Sequence, residues 1–178
     1  MYMHIQTEHP DGISVDMSCI CMYHSGAMKL QSLPCYCATL RQAARAATSF
    51  YEEALADSGV RATQFTVLQV LKTAPDLQTT EVANLIGIDQ TTATRTLALM
   101  KKSKLVGDFI GTDRRERRWR LTPLGETTFR KIQPKWQWAQ AMVERRLGRV
   151  EAVALKKHSF RAACEFSAAG DNLQKRKD

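Results

Sequence analysis

The sequence predicts a mainly α-helical protein with a small β-hairpin, a helix-turn-helix followed by a wing. Three observations predict it. Tyr36 to Asp57 is Ala-rich, free of Gly and Pro, and repeats apolar residues at helical spacing. Two short helical segments are separated only by Gly87-Ile88-Asp89, the turn length of a helix-turn-helix. Leu105 to Ile110 and Arg117 to Leu121 read as strands bracketing a polar loop with Gly111 and Asp113.

Taken in order, residues 1–34 mix His, Met, Ser, Gly and Pro without a sustained period and read as a flexible arm. The first helix places Leu40, Ala44, Ala47, Tyr51 and Leu55 on one side, with Pro34 before it and Gly59 after it. A second helix is expected from a Thr63 cap to Thr73, with Phe65 and Leu68 facing inward and Ala74-Pro75-Asp76 breaking it. A third runs from Thr80 to Ile86, capped by Thr79 or Thr80, and stops at Gly87. Asp89 caps the fourth, Gln90 to Ser103; Val82, Ala83, Ile86, Ile88 and Leu97 form the apolar joint between the two. After the hairpin, Thr122-Pro123 pairs an N-cap threonine with proline at the first helical position. This fifth helix is expected to kink at Pro134 and end near Leu147, and Gly148 separates it from a sixth, Val150 to Ala168. Residues 169–178 read as a frayed charged tail.

The 178 residues suffice for one domain of ordinary size, and 44% apolar content supplies a core. Nothing approaches the roughly eighteen apolar residues of a spanning helix. With no signal-peptide pattern at the N-terminus, a cytoplasmic protein without a membrane partner is expected. The formal charge is +8, and residues 101–120 alone hold eight basic and three acidic side chains, a surplus of five. Positive charge concentrated beside a hydroxyl-rich helix is a nucleic-acid footprint. In such a motif the second helix enters the major groove. Gln90, Thr91, Thr92 and Thr94 in its first turns suit base edges or phosphates, and Arg95 suits either better. Lys101, with Lys102 and Lys104, suits the backbone or the helix dipole. At the wing, Arg115 suits the minor groove, and Asp113 pairs with Arg115 or Arg118 to hold the turn. Arg114 and Arg117 complete the basic hairpin.

The order helix, helix, helix-turn-helix, wing, two long helices resembles the MarR family of bacterial transcription regulators. The residues carrying the likeness are Thr94-Arg95, Leu105-Val106, the wing run Asp113-Arg114-Arg115-Glu116-Arg117-Arg118 and Leu121-Thr122-Pro123-Leu124-Gly125. Lys104 departs from it, standing where the family usually has glycine. The likeness implies a MarR-type domain over residues 35–168, with a winged helix-turn-helix at about 62–122 and a helical dimerisation layer from about 36–57 and 123–168. It also implies a homodimer on double-stranded DNA with a pseudo-palindromic operator, usually as a repressor, because two lobes about 34 Å apart read successive major grooves.

Five cysteines, an odd number, argue for reduced thiols rather than a disulfide framework. The chain partly resembles the family's organic-hydroperoxide-sensing branch, in which a reactive cysteine at the start of the first helix precedes an arginine by eight residues and a tyrosine by fourteen. Cys37, Arg45 and Tyr51 keep that spacing, while Ala62 stands in place of the branch's second tyrosine. A thiolate at a helix N-terminus is favoured by the dipole, and thiolates are what oxidants attack. Cys35, Cys19, Cys21 or a partner's Cys164 would then resolve oxidised Cys37. An inert, buried Cys37 is an equally good reading. Two C-x-C pairs do not match zinc spacing, so no metal or other cofactor is assigned. An aromatic or phenolic inducer between dimer layer and lobe is the alternative signal. An enzyme is not expected, since His158 is the only histidine beyond the arm and no nucleophile, base and orienter set is visible. A non-specific architectural DNA-binding protein is the different-class alternative.

Overall fold

A computed structural model describes residues 34–110 and 116–174. The chain divides between Ser49 and Phe50 into two units. Helix α1 (Tyr36–Ala54) begins in the first and ends in the second. It stops short of the expected Asp57 because the chain tightens into a 3-10 turn, Ala56–Ser58, and reverses at Gly59 with φ 70°. The intervening Leu55 is 1% exposed and enters the core.

Helix α2 (Ala62–Thr73) is capped without Thr63: the Arg61 N–H donates to Gln64 Oε1 at 3.0 Å, and the Ala62 N–H donates to Glu52 Oε1 at 3.1 Å. Phe65, Val67, Leu68 and Leu71 are buried, and Lys72 reaches outward to Glu126 at 2.7 Å. Beyond the expected break lies a strand that the sequence reading missed, β1 (Leu77–Gln78). The Asp76 N–H donates to the Trp119 carbonyl at 3.0 Å, which turns the chain into register, with Leu77 opposite Trp119 and Gln78 opposite Arg118.

Helix α3 (Thr79–Ile86) starts one residue early, with Glu81 Oε2 accepting from the Gln78 N–H at 2.6 Å, so neither Thr79 nor Thr80 is its cap. Thr79 instead accepts from Trp119 Nε1 at 3.0 Å. Gly87, at φ 71°, ends the helix, and the turn leads to α4 (Gln90–Lys102). Val82, Ala83 and Leu97 are buried in the joint, as expected, with Ile86 and Ile88 half-buried. Strands β2 (Val106–Ile110) and β3 (Arg117–Leu121) pair antiparallel, giving a three-stranded sheet in the order β1-β3-β2.

Helix α5 (Pro123–Leu147) runs through Pro134. Pro134 removes the N–H that the Arg130 carbonyl would otherwise accept, and both residues lie on the exposed side of the helix. Helix α6 (Arg149–Gln174) extends past the expected end at Ala168 and takes in much of the expected tail. The core gathers Leu55, Phe65, Leu68, Leu71, Val82, Leu97, Met100, Val106, Trp119 and Ile132. Phe129 stacks on Phe65 with ring centroids 5.5 Å apart, and Trp136 lies 6.1 Å from Phe65, so both aromatics pack rather than form a ligand site. Trp138, by contrast, is 56% exposed.

The base of the wing is where α4, β2 and α5 meet. The Thr122 hydroxyl accepts from the Gly125 N–H at 3.0 Å and donates to the Lys104 carbonyl at 2.5 Å. The Thr122 N–H donates to the Leu105 carbonyl at 3.2 Å. A Cβ on Gly125 would lie 2.0 Å from that same carbonyl oxygen, so only glycine permits the approach. Lys104, in the glycine position of the turn, keeps the glycine-like backbone with φ 59°.

These contacts predict opposite effects for two substitutions. In urea denaturation Gly125→Ala should lose about 2–3 kcal/mol by forcing α5 off the wing base. Lys104→Gly should gain about 0.5–1 kcal/mol by relieving the left-handed backbone. A fully stable Gly125→Ala protein, or a destabilised Lys104→Gly protein, contradicts the geometry.

Candidate nucleic-acid interface

Helix α4 is amphipathic in a way that decides which side chains reach outward. Ala93, Leu97 and Met100 are buried, while Gln90, Thr91, Thr92, Thr94, Arg95 and Lys101 are exposed. The hydroxyls differ in their engagement. Asp89 Oδ1 accepts from the Thr92 N–H at 2.8 Å and Oδ2 accepts from the Thr92 hydroxyl at 2.6 Å, so Thr92 builds the cap. These hydrogen bonds hold the Asp89 carboxyl below its usual value, leaving it anionic at the positive end of the helix. The Thr94 hydroxyl donates to the Gln90 carbonyl at 2.8 Å and keeps its lone pairs outward. Gln90, Thr91, Thr94 and Arg95 form the outward polar face. A shallow cleft beside it, lined by Thr80, Gln90 and Arg117 among others, joins α3, α4 and β3.

The arginines that looked like one run in the sequence divide between roles. Asp113, Arg114 and Arg115 lie outside the described residues. Arg117 is 71% exposed and reaches Asp108 Oδ2 at 3.5 Å. Arg118 points the other way: Nη1 donates to the Asp76 carbonyl at 2.8 Å and Nη2 to Glu116 Oε2 at 2.9 Å. Among the described residues Arg118 thus meets Glu116 and Asp76, and it clamps β3 to the turn before β1. Arg120 stacks 3.7 Å over the Phe109 ring, with Nε 3.2 Å from Asp76 Oδ1. Lys101, expected to touch a DNA backbone, sits 2.5 Å from Asp108 Oδ1. Asp108 was missed in the sequence, although an acid in so basic a stretch was the signal that could have found it. Its carboxyl is held below the usual range by the Lys101 hydrogen bond, with Coulombic help from Lys101 and Arg117.

Cys35 and Cys37 are both exposed at the start of α1, and Arg41 Nη2 lies 3.5 Å from Cys37 Sγ. Burial pushes the Tyr51 phenol up, and a hydrogen bond with Gln140 opposes the shift. Cys164 is also exposed; Cys19 and Cys21 lie outside the described residues. Among the described residues no group of three His, Cys, Asp or Glu side chains could hold a metal ion, and no helix is long and apolar enough to cross a membrane.

Comparison with known proteins bears on this geometry directly. Residues 58–116, from the turn before α2 into the hairpin, match the sequence profile of the MarR family. The transcriptional regulator MosR of M. tuberculosis in complex with DNA is 35% identical, with a TM-score of 0.61, over 73% of this chain and 98% of that one. A second structure of MosR gives 34% identity and a TM-score of 0.65 over 74% and 96% of the two chains. Apo MarR from E. coli shares the fold at 18% identity, with a TM-score of 0.60 over 74% of this chain and 98% of that one. Among curated protein sequences none matches. The helix-turn-helix, the basic hairpin and a relative of this identity aligned over nearly its whole length lead to one conclusion: the chain belongs to the MarR family of transcription regulators.

Proposed function

We propose that the protein binds double-stranded DNA as a homodimer at a pseudo-palindromic operator, represses transcription there, and leaves the DNA when a small signal arrives. The observation that carries this is the outward polar face of α4, Gln90, Thr91, Thr94 and Arg95, with Lys101 in its last turn and Arg117 on the adjacent hairpin. Side chains of these types read base edges and phosphates from a helix in the major groove. Arg115 is the residue suited to the adjoining minor groove, whose negative potential attracts its guanidinium. The MosR relative was solved in complex with DNA, which supports the reading. For the dimer, the support is apolar: Trp138, Val150, Val153, Phe160 and Phe166 on α5 and α6 are 53–78% exposed in the single chain. A second copy covering them sets two α4 helices about 34 Å apart, one helical turn of DNA.

For the signal, we favour oxidation of Cys37. Its sulfur is exposed in the first turn of α1, beside the Arg41 guanidinium, where an organic hydroperoxide can reach it. Attack of the thiolate on the peroxide O–O bond gives the sulfenic acid and releases the alcohol; a second thiol, Cys35 being the near one, then gives the disulfide and water.

Two experiments test these readings. In fluorescence anisotropy with duplexes from the DNA upstream of its own gene, Arg95→Ala should bind the preferred site about 10- to 100-fold more weakly. Equal affinity of the wild type for every upstream and random duplex would instead favour an architectural protein. Cumene hydroperoxide should release the wild type from DNA, dithiothreitol should restore binding, and Cys37→Ser should stay bound. Release that ignores both reductant and Cys37→Ser points to a non-thiol ligand.

A further inference from the structure

Asp108 stands at the middle of the β2 strand, 14% exposed, with one cation on each oxygen. Lys101 comes from the last turn of the recognition helix and Arg117 from the facing strand of the wing, and their side chains are 49% and 71% exposed. The two elements that would grip DNA therefore meet through a carboxylate lying beneath them. Water and phosphate reach the cations more readily than they reach the acid. The cations are the outermost charges, but their sum with Asp108 is one positive charge rather than two. Arg118 and Arg120 do not share this arrangement, since their acids are Glu116, just before β3, and Asp76, in the turn before β1.

We propose that Asp108 is an intramolecular competitor of DNA phosphate: it holds Lys101 and Arg117 in place while cancelling one of their two charges, and so limits the sequence-independent part of DNA affinity. The inference rests on the DNA-binding reading above. Non-specific binding to duplex DNA is driven almost wholly by counterions released as cations meet phosphates, and each added cation steepens the salt dependence by about 0.9. A regulator needs this term low, because the genome offers far more random sites than operators. Base contacts from Gln90, Thr91, Thr94 and Arg95 lie outside the competition, so the acid trims affinity for random DNA without touching the reading of bases. Asp108 thus sets the level of sequence-independent affinity while contacting no base.

The test uses the protein and a duplex of random sequence about 30 base pairs long, roughly three turns of B-DNA. Binding is measured from about 50 to about 250 mM KCl, which brackets the physiological ionic strength. Asp108→Asn keeps the side-chain shape and removes the charge. It is expected to bind the random duplex about three- to tenfold more tightly than wild type, with a log–log salt slope steeper by about one. Asp108→Ser, smaller and also neutral, carries the same expectation should the amide not fold. Asp108→Asn/Lys101→Gln should return the slope to that of wild type, a result that a merely structural Asp108 would not produce. Equal or weaker binding by the neutral variants, with an unchanged or shallower slope, overturns the proposal. Wild-type protein that binds no duplex at any salt overturns the DNA-binding reading itself.

Discussion

The approach of Gly125 to the Leu105 carbonyl constrains everything else in the lobe. The chain enters the wing at Lys104-Leu105 and leaves it at Leu121-Thr122, and Thr122 ties both passages together with its hydroxyl and its N–H. Because α5 begins on that knot, the recognition helix, the hairpin and the long helix share one fixed point. A Cβ at Gly125 has nowhere to go, since its nearest neighbour is backbone and not a flexible side chain. A signal that tilts α5 must therefore move the end of α4 and the root of the wing with it. Packed elements of this kind have a few discrete arrangements rather than a continuum, which is what a switch needs.

On this frame the basic residues serve three separate ends. Arg118 closes the sheet onto the turn at Asp76, Arg120 covers Phe109, and Arg117 with Lys101 brackets Asp108. Positive charge is thereby turned into an arranged surface, with acids placed under or beside Lys101, Arg117, Arg118 and Arg120. The net charge of +8 speaks of polyanions in general; the placement of Asp76, Asp108 and Glu116 decides which cations remain available to them.

Much of this could be read from local chemistry. Gly87 as a helix stop, Asp89 as the cap of α4, and Thr122-Pro123 as the start of α5 each depend only on neighbouring residues, and each stands where the sequence indicates. What escaped depends on partners distant in the chain. A strand of two residues, β1, leaves no alternation to detect, and its register is set by Trp119, forty residues on in the Thr79 hydrogen bond alone. The inward turn of Arg118 has the same cause: its acceptor is Asp76, 42 residues away. The charged residues after Ala168 read as a frayed tail, yet α6 continues to Gln174. Lys104 shows the converse, a residue type that argues against a left-handed turn held in it by the Thr122 knot. In the candidate site, the outward face of α4 was legible from residue type and period, whereas Asp108 acquires its role only when α4 and the two strands are brought together.

The central claim is that two winged lobes, set by a shared helical layer, read successive major grooves of one duplex. Hydroxyl-radical footprinting of the protein on the DNA upstream of its gene measures this most directly. The account predicts two protected patches on one face of the duplex, centred about ten base pairs apart, with minor-groove protection beside each from the wings. A single patch, or even protection along the whole fragment, would contradict it.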